Sequence, residues 1–320
     1  MKDERFVILG NGGAGVAAAR AARASGYEAE IHIVSDTDAP AFNPMLSPYY
    51  LKGVIPWDSC FPFGEGLYRD YTITFHGDAP VEFLDAVNQQ VTLAGGERLS
   101  YDRCLIATGA RPLIPSVPGL ENCTRSFPLR DAASARGLEK TLGSARRALV
   151  LGASLVGLKV AEILRKRGID VLLSDTEDQI LPHSAHPSSA ALLTTYLEEQ
   201  AVHIRLGCTL EGIEERAGGV ACHFPEGVVE EVDFVVLCTG IRPNLHFAQD
   251  QVMIKEAVLA DEGMRTTAPS LYAAGDVSQA LNPLSGRHEW RATWANACVQ
   301  GRVAGSNMAG QDTAWPGAIA

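Results

Sequence analysis

Apolar and polar positions along this chain fall into blocks. A short run without a polar residue, Phe6-Val7-Ile8-Leu9, stops at Gly10-Asn11-Gly12-Gly13-Ala14-Gly15 and passes into an alanine-rich stretch that ends near Gly26. A four-residue apolar run bounded by glycine predicts a buried strand, and the alanine-rich stretch predicts a helix. A second apolar run, Ile31-His32-Ile33-Val34, predicts another strand that ends at Ser35-Asp36. The succession then returns. Ala148-Leu149-Val150-Leu151 meets Gly152-Ala153-Ser154-Leu155-Val156-Gly157, a helix is predicted to Gly168, and Val171-Leu172-Leu173 closes on Ser174-Asp175. From first glycine to the glycine after the helix is 16 residues in both copies (10 to 26, 152 to 168). Two such openings predict an α/β fold of two Rossmann-like, three-layer nucleotide-binding domains.

The repeat extends further. Leu105-Ile106-Ala107-Thr108-Gly109-Ala110-Arg111-Pro112 closes the first copy and Val236-Leu237-Cys238-Thr239-Gly240-Ile241-Arg242-Pro243 the second. Each reads as a buried strand breaking at Thr-Gly, with proline barring a helix. In a turn of the Gly10–Gly15 kind the first glycine makes the tight turn, the second admits a pyrophosphate, and the third lets helix and strand pack closely. The helix N-terminus then faces the phosphates with unpaired N–H groups. In the second copy Ser154 takes the middle position, small enough for backbone approach but leaving less room than glycine. The acid ending each second strand suits ribose hydroxyls and repels a 2′-phosphate. Asp175 is followed by Thr176 and Glu177 with no cation nearby, which favours NADH over NADPH; in the first copy Asp36 shares the role with Ser35 or Asp38.

Composition narrows the classes. The chain has 320 residues, 46% of them hydrophobic, enough for two ordinary domains. Charges of 27 Lys+Arg and 38 Asp+Glu give −11 with no basic cluster to offset them, which argues against nucleic acid. No apolar run reaches the length of a membrane span, and Met1-Lys2-Asp3-Glu4-Arg5 leads into the first strand without a signal-peptide pattern. Seven scattered cysteines, none paired as CxxC, fit a reduced, cytoplasmic chain without a zinc or iron–sulfur site.

The segment Pro269-Ser270-Leu271-Tyr272-Ala273-Ala274-Gly275-Asp276-Val277 resembles the second flavin motif of the FAD-dependent pyridine nucleotide–disulfide oxidoreductase superfamily. Together with Gly10–Gly15, Ala107-Thr108-Gly109, Gly152–Gly157 and Cys238-Thr239-Gly240, the resemblance spans nearly the whole chain in family order. It implies an FAD-binding domain on 1–114 plus 242–320 and an NAD(H)-binding domain on 115–241 inserted within it. The FAD set it implies is Gly10, Gly12, Gly13, Ala14, Gly15, Ser35, Asp36, Asn43, Val81 at the adenine edge, Ala107, Thr108, Gly109, Gly275 and Asp276 at the ribityl chain. The NADH set is Gly152, Ser154, Leu155, Val156, Gly157, Asp175, Thr239 and Gly240. It also implies that Trp290 to Met308 forms a helix facing the flavin, and that NADH gives a hydride to FAD without a catalytic side chain or a metal.

Within the superfamily, Ala41 to Gly53 resembles the cysteine-free branch: rubredoxin and ferredoxin reductases, the FAD portion of nitrite reductases, and NADH-reacting flavin subunits. NADH oxidases and coenzyme A–disulfide reductases carry a cysteine where Met45 falls, and a thioether cannot form the attacking thiolate. The acceptor implied is a small redox protein or an iron–sulfur partner subunit. The rivals are an NADH oxidase or a coenzyme A–disulfide or peroxide reductase, and a non-catalytic flavin- or NADH-binding subunit. Relatives of this branch often pair a Lys, where this chain has Pro48, with a Glu, where it has Lys159. Lys159 is either a cation near the flavin or, with Lys52, a surface residue. Such relatives also run on into an interface domain; the end at Trp315–Ala320 resembles only the start of one, so by this resemblance that domain is expected to be absent.

Smaller signals take structural readings. His183 and His186 sit between Pro182 and Pro187 with no third ligand, so a metal is not expected. Ser184, Ser188 or Ser189 is expected to cap a helix from about Ser189 to Gln200. Trp290 and Trp294, four apart, are expected on one helical face, packed in the core or offered to an acceptor. Cys104 and Cys238, inside apolar strands, read as inert core thiols.

Overall fold

The computed structural model describes residues 4–64 and 66–318. Met1–Asp3, ahead of the first strand, and Ile319–Ala320, at the end of the supposed interface segment, lie outside the described residues. The described chain divides into two units: one of residues 4–43, 61–64, 66–111 and 243–318, the other of 44–60 and 112–242.

In chain order the elements that matter are β1 (Arg5–Leu9), α1 (Gly13–Ala24), β2 (Glu30–Val34), α2 (Ser47–Leu51), β3 (Thr74–His76) and β4 (Arg103–Ile106). The inserted unit supplies β5 (Ser126–Phe127), α3 (Ala132–Leu142), β6 (Arg147–Leu151), α4 (Leu155–Lys166), β7 (Asp170–Ser174), α5 (Pro187–Glu199), β8 (Val202–Arg205) and β9 (Phe234–Leu237). The chain then returns to the first unit with β10 (Leu271–Ala273) and α6 (Trp294–Met308).

The first unit is built on a parallel sheet in the order β10-β4-β1-β2-β3. The second has a parallel sheet in the order β8-β7-β6-β9-β5. A parallel strand is buried on both faces, which is why the runs Phe6–Leu9, Ala148–Leu151 and Phe234–Leu237 lack polar residues. In β1, Phe6 and Ile8 pack with Ala14, Ala18 and Val303 of the helices, while Val7 and Leu9 pack with Leu84, Val91 and Leu99 of a three-stranded antiparallel sheet (Val81–Asp85, Gln90–Leu93, Arg98–Ser100). The second unit repeats the layering. Leu149, Leu151, Leu172 and Val235 face Ile213, Val220 and Val232 of another such sheet (Gly212–Arg216, Gly219–His223, Val229–Val232), and α4 lies against β6 and β7.

Four expectations change. The segment Pro44–Cys60, placed by sequence in the first unit, groups with the second, because Lys52 pairs with Glu162 of α4 at 3.6 Å and Arg167 donates to the Leu51 carbonyl. Trp290 lies outside the last helix, which begins at Trp294 with Thr293 as its cap, the Thr293 hydroxyl accepting from the Asn296 N–H at 3.3 Å. Residues Arg287–Glu289 just before it form a strand, so the two tryptophans do not share a helical face. The α5 helix starts at Pro187 and is capped by the His186 ring; proline suits the first turn, where its missing N–H costs nothing. Finally, Trp315 belongs to the first unit's own core, fully buried beside Met308, with its backbone N–H donating to the Glu262 carbonyl.

Candidate dinucleotide sites

The first turn follows from where a side chain would and would not fit. Gly10 has φ +119°, and a Cβ there would overlap the Ala107 carbonyl oxygen of the neighbouring strand end. A Cβ at Gly15 would overlap the Gly10 carbonyl, so the third glycine brings α1 onto its own entry turn. Gly12 is different. It is the N-cap of α1, in extended conformation, without a side chain to cap the helix, and a Cβ there would meet nothing within 4 Å. The open space thus lies over first-turn N–H groups that no side chain satisfies, which is what an anion needs. A pyrophosphate fits this cradle, and Gly12, Gly13, Ala14 and Gly15 would hold it.

The remaining residues of the first set converge on this turn. Gly275, with φ +82°, approaches so closely that a Cβ there would lie 3.0 Å from the Ala14 Cβ. Thr108 is fixed by Asn244: the Thr108 hydroxyl donates to the Asn244 carbonyl at 2.9 Å, and the Asn244 amide donates to the Thr108 carbonyl at 2.9 Å. At the far end of β2, Ser35 is buried and its hydroxyl accepts from the Thr37 N–H at 3.2 Å, while the Asp36 and Asp38 carboxylates are both exposed. The Ser35 N–H donates to the His76 carbonyl and its own carbonyl accepts from Ala79 N–H, which brings the chain leading to Val81 beside it. Asn43 is buried.

The second turn repeats the geometry with its own bracing. Gly152 has φ +108° against the Cys238 carbonyl, and Gly157 abuts the Gly152 carbonyl. Ser154 caps α4 by position only; its hydroxyl donates to the Cys238 carbonyl at 3.3 Å, so the first-turn N–H groups stay uncapped. Leu155 and Val156 are exposed, at 74% and 51%. The Asp175 carboxylate accepts from the Ala153 N–H at 2.6 Å and from the Glu177 N–H at 3.1 Å. It therefore braces the glycine turn, with one lone pair on each oxygen left for ribose hydroxyls. Thr239 and Gly240 clasp Leu113, the hydroxyl donating to its carbonyl and the Gly240 carbonyl accepting its N–H at 3.0 Å.

Lys159 and Lys52 are both ion-paired. Each reaches Glu162, at 2.9 and 3.6 Å, and Lys166 joins them, so the Lys166 and Lys159 ammonium groups hold the Glu162 carboxyl down to about 2. Lys52 and Glu162 thus pair within the second unit, four residues after Pro48 and three after Lys159. Burial raises the Cys104 thiol and pushes those of Cys222 and Cys238 up to about 12, so these are not nucleophiles near neutral pH.

Sequence reasoning missed Asn244 and Gln300, and it singled out Trp290 without its contact to Asp276. Gln300 accepts from the Gly275 N–H at 2.8 Å, and the Trp290 Nε1–H donates to the Asp276 carbonyl at 2.8 Å. None belongs to a recurring motif, and only the fold brings them to these turns.

Two uncapped glycine turns at helix N-termini, each at the end of a parallel strand, define a protein that binds two dinucleotides. A family model described as pyridine nucleotide-disulphide oxidoreductase matches residues 4–301, and the chain belongs to that family. Its enzymes use FAD and NAD(H). Among curated relatives, it is 30% identical over 318 residues to an NADH oxidase of Methanocaldococcus jannaschii, covering 96% of this chain and 70% of the relative. It is 29% identical to a rubredoxin-NAD(+) reductase of Ectopseudomonas oleovorans, covering 97% and 81%. Among solved structures it is similar to the covalent putidaredoxin reductase–putidaredoxin complex, at a TM-score of 0.91 and 28% identity, covering 97% of this chain and 76% of that one. Among the described residues no helix is long and apolar enough to cross a membrane.

Proposed function

We propose that this chain is an FAD-dependent NADH oxidoreductase that passes electrons to a small redox protein or to an iron–sulfur partner subunit. The observation that carries the reading is the doubled, uncapped glycine turn, with Gly275-Asp276 closing on the first copy. In this reading the first unit holds FAD: α1 amides bind the pyrophosphate, Asp36 the adenosine ribose, Val81 the adenine edge and Asp276 the ribityl chain. The second unit holds NADH on the α4 amides, with Asp175 near the ribose. Bound FAD supplies hydride acceptance from NADH and onward transfer of the electrons singly or in pairs. The residues of this chain bind and orient; none is asked to act as acid, base or nucleophile. Met45 occupies the place of the redox cysteine and is 55% exposed, so disulfide reduction has no nucleophile there. The run Thr176-Glu177-Asp178 that follows Asp175 carries no Lys or Arg, which favours NADH over NADPH.

Anaerobic titration tests this. The purified protein should show a flavin band near ~450 nm that NADH bleaches and that ferricyanide, rubredoxin or a [2Fe–2S] ferredoxin restores. A protein without the band refutes the reading. A second reading, an NADH oxidase using oxygen as acceptor, is favoured by the similarity to the Methanocaldococcus jannaschii enzyme. Re-oxidation by air faster than by any redox protein would select it.

A further inference from the structure

Gln300 lies on α6, 1% exposed, and its amide oxygen accepts from the Gly275 N–H at 2.8 Å. The Ser278 hydroxyl, equally buried, stands 3.1 Å from the same oxygen and 2.9 Å from the Gly275 carbonyl. Residues 275–278 form a tight turn, closed by the Ser278 N–H donating to the Gly275 carbonyl at 2.9 Å. Asp276 is the second residue of this turn, and its carbonyl is held from the other side by the Trp290 indole. The turn carrying Asp276 is thus pinned at both ends, and one pin is a buried side chain of α6.

The same helix is locked to α1. A Cβ at Gly301 or Gly305 would overlap the carbonyl oxygens of Ala14 and Ala18, so the two backbones touch without intervening side chains. Ala14 lies in the first turn of α1, where the pyrophosphate cradle is. A single rigid helix therefore sets the position of both: its glycines fix α1, and Gln300, adjacent to Gly301, fixes the Asp276 turn. Replacing Gln300 with an apolar side chain would leave the buried Gly275 N–H without an acceptor, so the turn must move to find one.

We propose that Gln300 is the positioning residue that sets the Asp276 turn at its working distance from the α1 amides, and thereby sets how tightly, and in what geometry, the flavin is held. This rests on the FAD reading above.

The test uses the flavin-loaded protein. FAD dissociation is read from the rise in flavin fluorescence on dilution, and flavin geometry from visible circular dichroism. Gln300→Leu is expected to weaken FAD binding by about 10- to 100-fold and to change the visible dichroism. Gln300→Glu, which keeps an acceptor oxygen at the same reach and is held neutral by its burial, should hold FAD within a few-fold of the wild type with the same visible dichroism. Should Gln300→Leu fail to fold, Ser278→Ala removes only the second donor and is expected to weaken FAD about threefold. If wild type and Gln300→Leu hold FAD equally, with the same dichroism, the proposal fails. It also fails if the variant only lowers the melting temperature of the FAD-free and FAD-bound protein by the same amount. Wild-type protein that takes up no FAD overturns the underlying reading instead.

Discussion

Gly12 and Gly10 sit two residues apart in one turn, yet alanine at the two positions should do opposite things. At Gly12 the backbone is extended and a Cβ would enter space with no protein atom within 4 Å. The fold should lose only the small preference of an N-cap for glycine over alanine, a few tenths to about 1 kcal/mol. The added methyl, however, stands where the pyrophosphate must approach the α1 amides. Holding it off disrupts at least one charge-assisted hydrogen bond, each contributing about 1.5–3 kcal/mol. At ~1.4 kcal/mol per tenfold, Gly12→Ala should weaken FAD binding roughly 10- to 150-fold. Gly10→Ala must instead hold a side chain at φ +119° and against the Ala107 carbonyl, so it should cost about 3 kcal/mol or more and yield little folded protein. The assay is chemical denaturation of the FAD-free protein beside flavin fluorescence titration. A folded Gly12→Ala protein that binds FAD as tightly as wild type would show that the phosphates do not sit on this turn.

Four further outcomes follow from the second turn and the titratable groups. Asp175→Asn keeps one acceptor oxygen where two backbone N–H groups are now served and removes the charge that repels a 2′-phosphate, so NADH binding, read by quenching of its fluorescence, should weaken about tenfold and its preference over NADPH should narrow; unchanged NADH binding would contradict the bracing role. Glu162→Gln leaves Lys52, Lys159 and Lys166 without their shared carboxylate, and since the group is about a third exposed the loss should stay near ~1 kcal/mol and shrink further in high salt, seen as a small fall in melting temperature. Its carboxyl is depressed, so this contribution is present above the ordinary value of 4.5 and disappears as pH falls toward about 2. Burial lowers the His32 ring, whose Nδ1 lies 2.9 Å from His76 Nε2, so the unfolded chain takes up the proton more readily and stability should drop as pH falls below 6.5; a denaturation midpoint unchanged from pH 7.5 to 5.5 in wild type but not in His32→Gln would refute this. A thiol reagent at pH 7 should label Cys208 first in the native protein and leave Cys104, Cys222 and Cys238 unmodified, as peptide mass mapping can show.

The chain's own order of residues determined a good deal. The two strand–glycine–helix openings were legible because a buried parallel strand must be apolar throughout, and because only glycine tolerates φ near +110° pressed against a neighbouring carbonyl. Gly10 and Gly152 carry the positive φ and meet the Ala107 and Cys238 carbonyls, Gly15 and Gly157 meet the carbonyl of the first glycine of their own turn, and the identical strand–turn–helix spacing of the two copies betrays them. The excess of glycine, 31 residues where average usage of roughly 7% gives about 22, is largely backbone cleared for such approaches.

Tertiary structure decided what depends on partners distant along the chain. Whether Pro44–Cys60 joins one unit or the other turns on Glu162 and Arg167, more than a hundred residues away. The bracing role of Asp175 depends on which way its carboxylate turns at a strand end, and the strand's pattern is the same either way. The separation of Trp290 from Trp294 hinges on Thr293, which stops the helix from starting earlier, while helical spacing alone would have joined them. Gln300 reads in sequence as one polar residue in an amphipathic helix. Only its burial against Gly275 shows that its amide oxygen answers a backbone N–H that would otherwise have no partner.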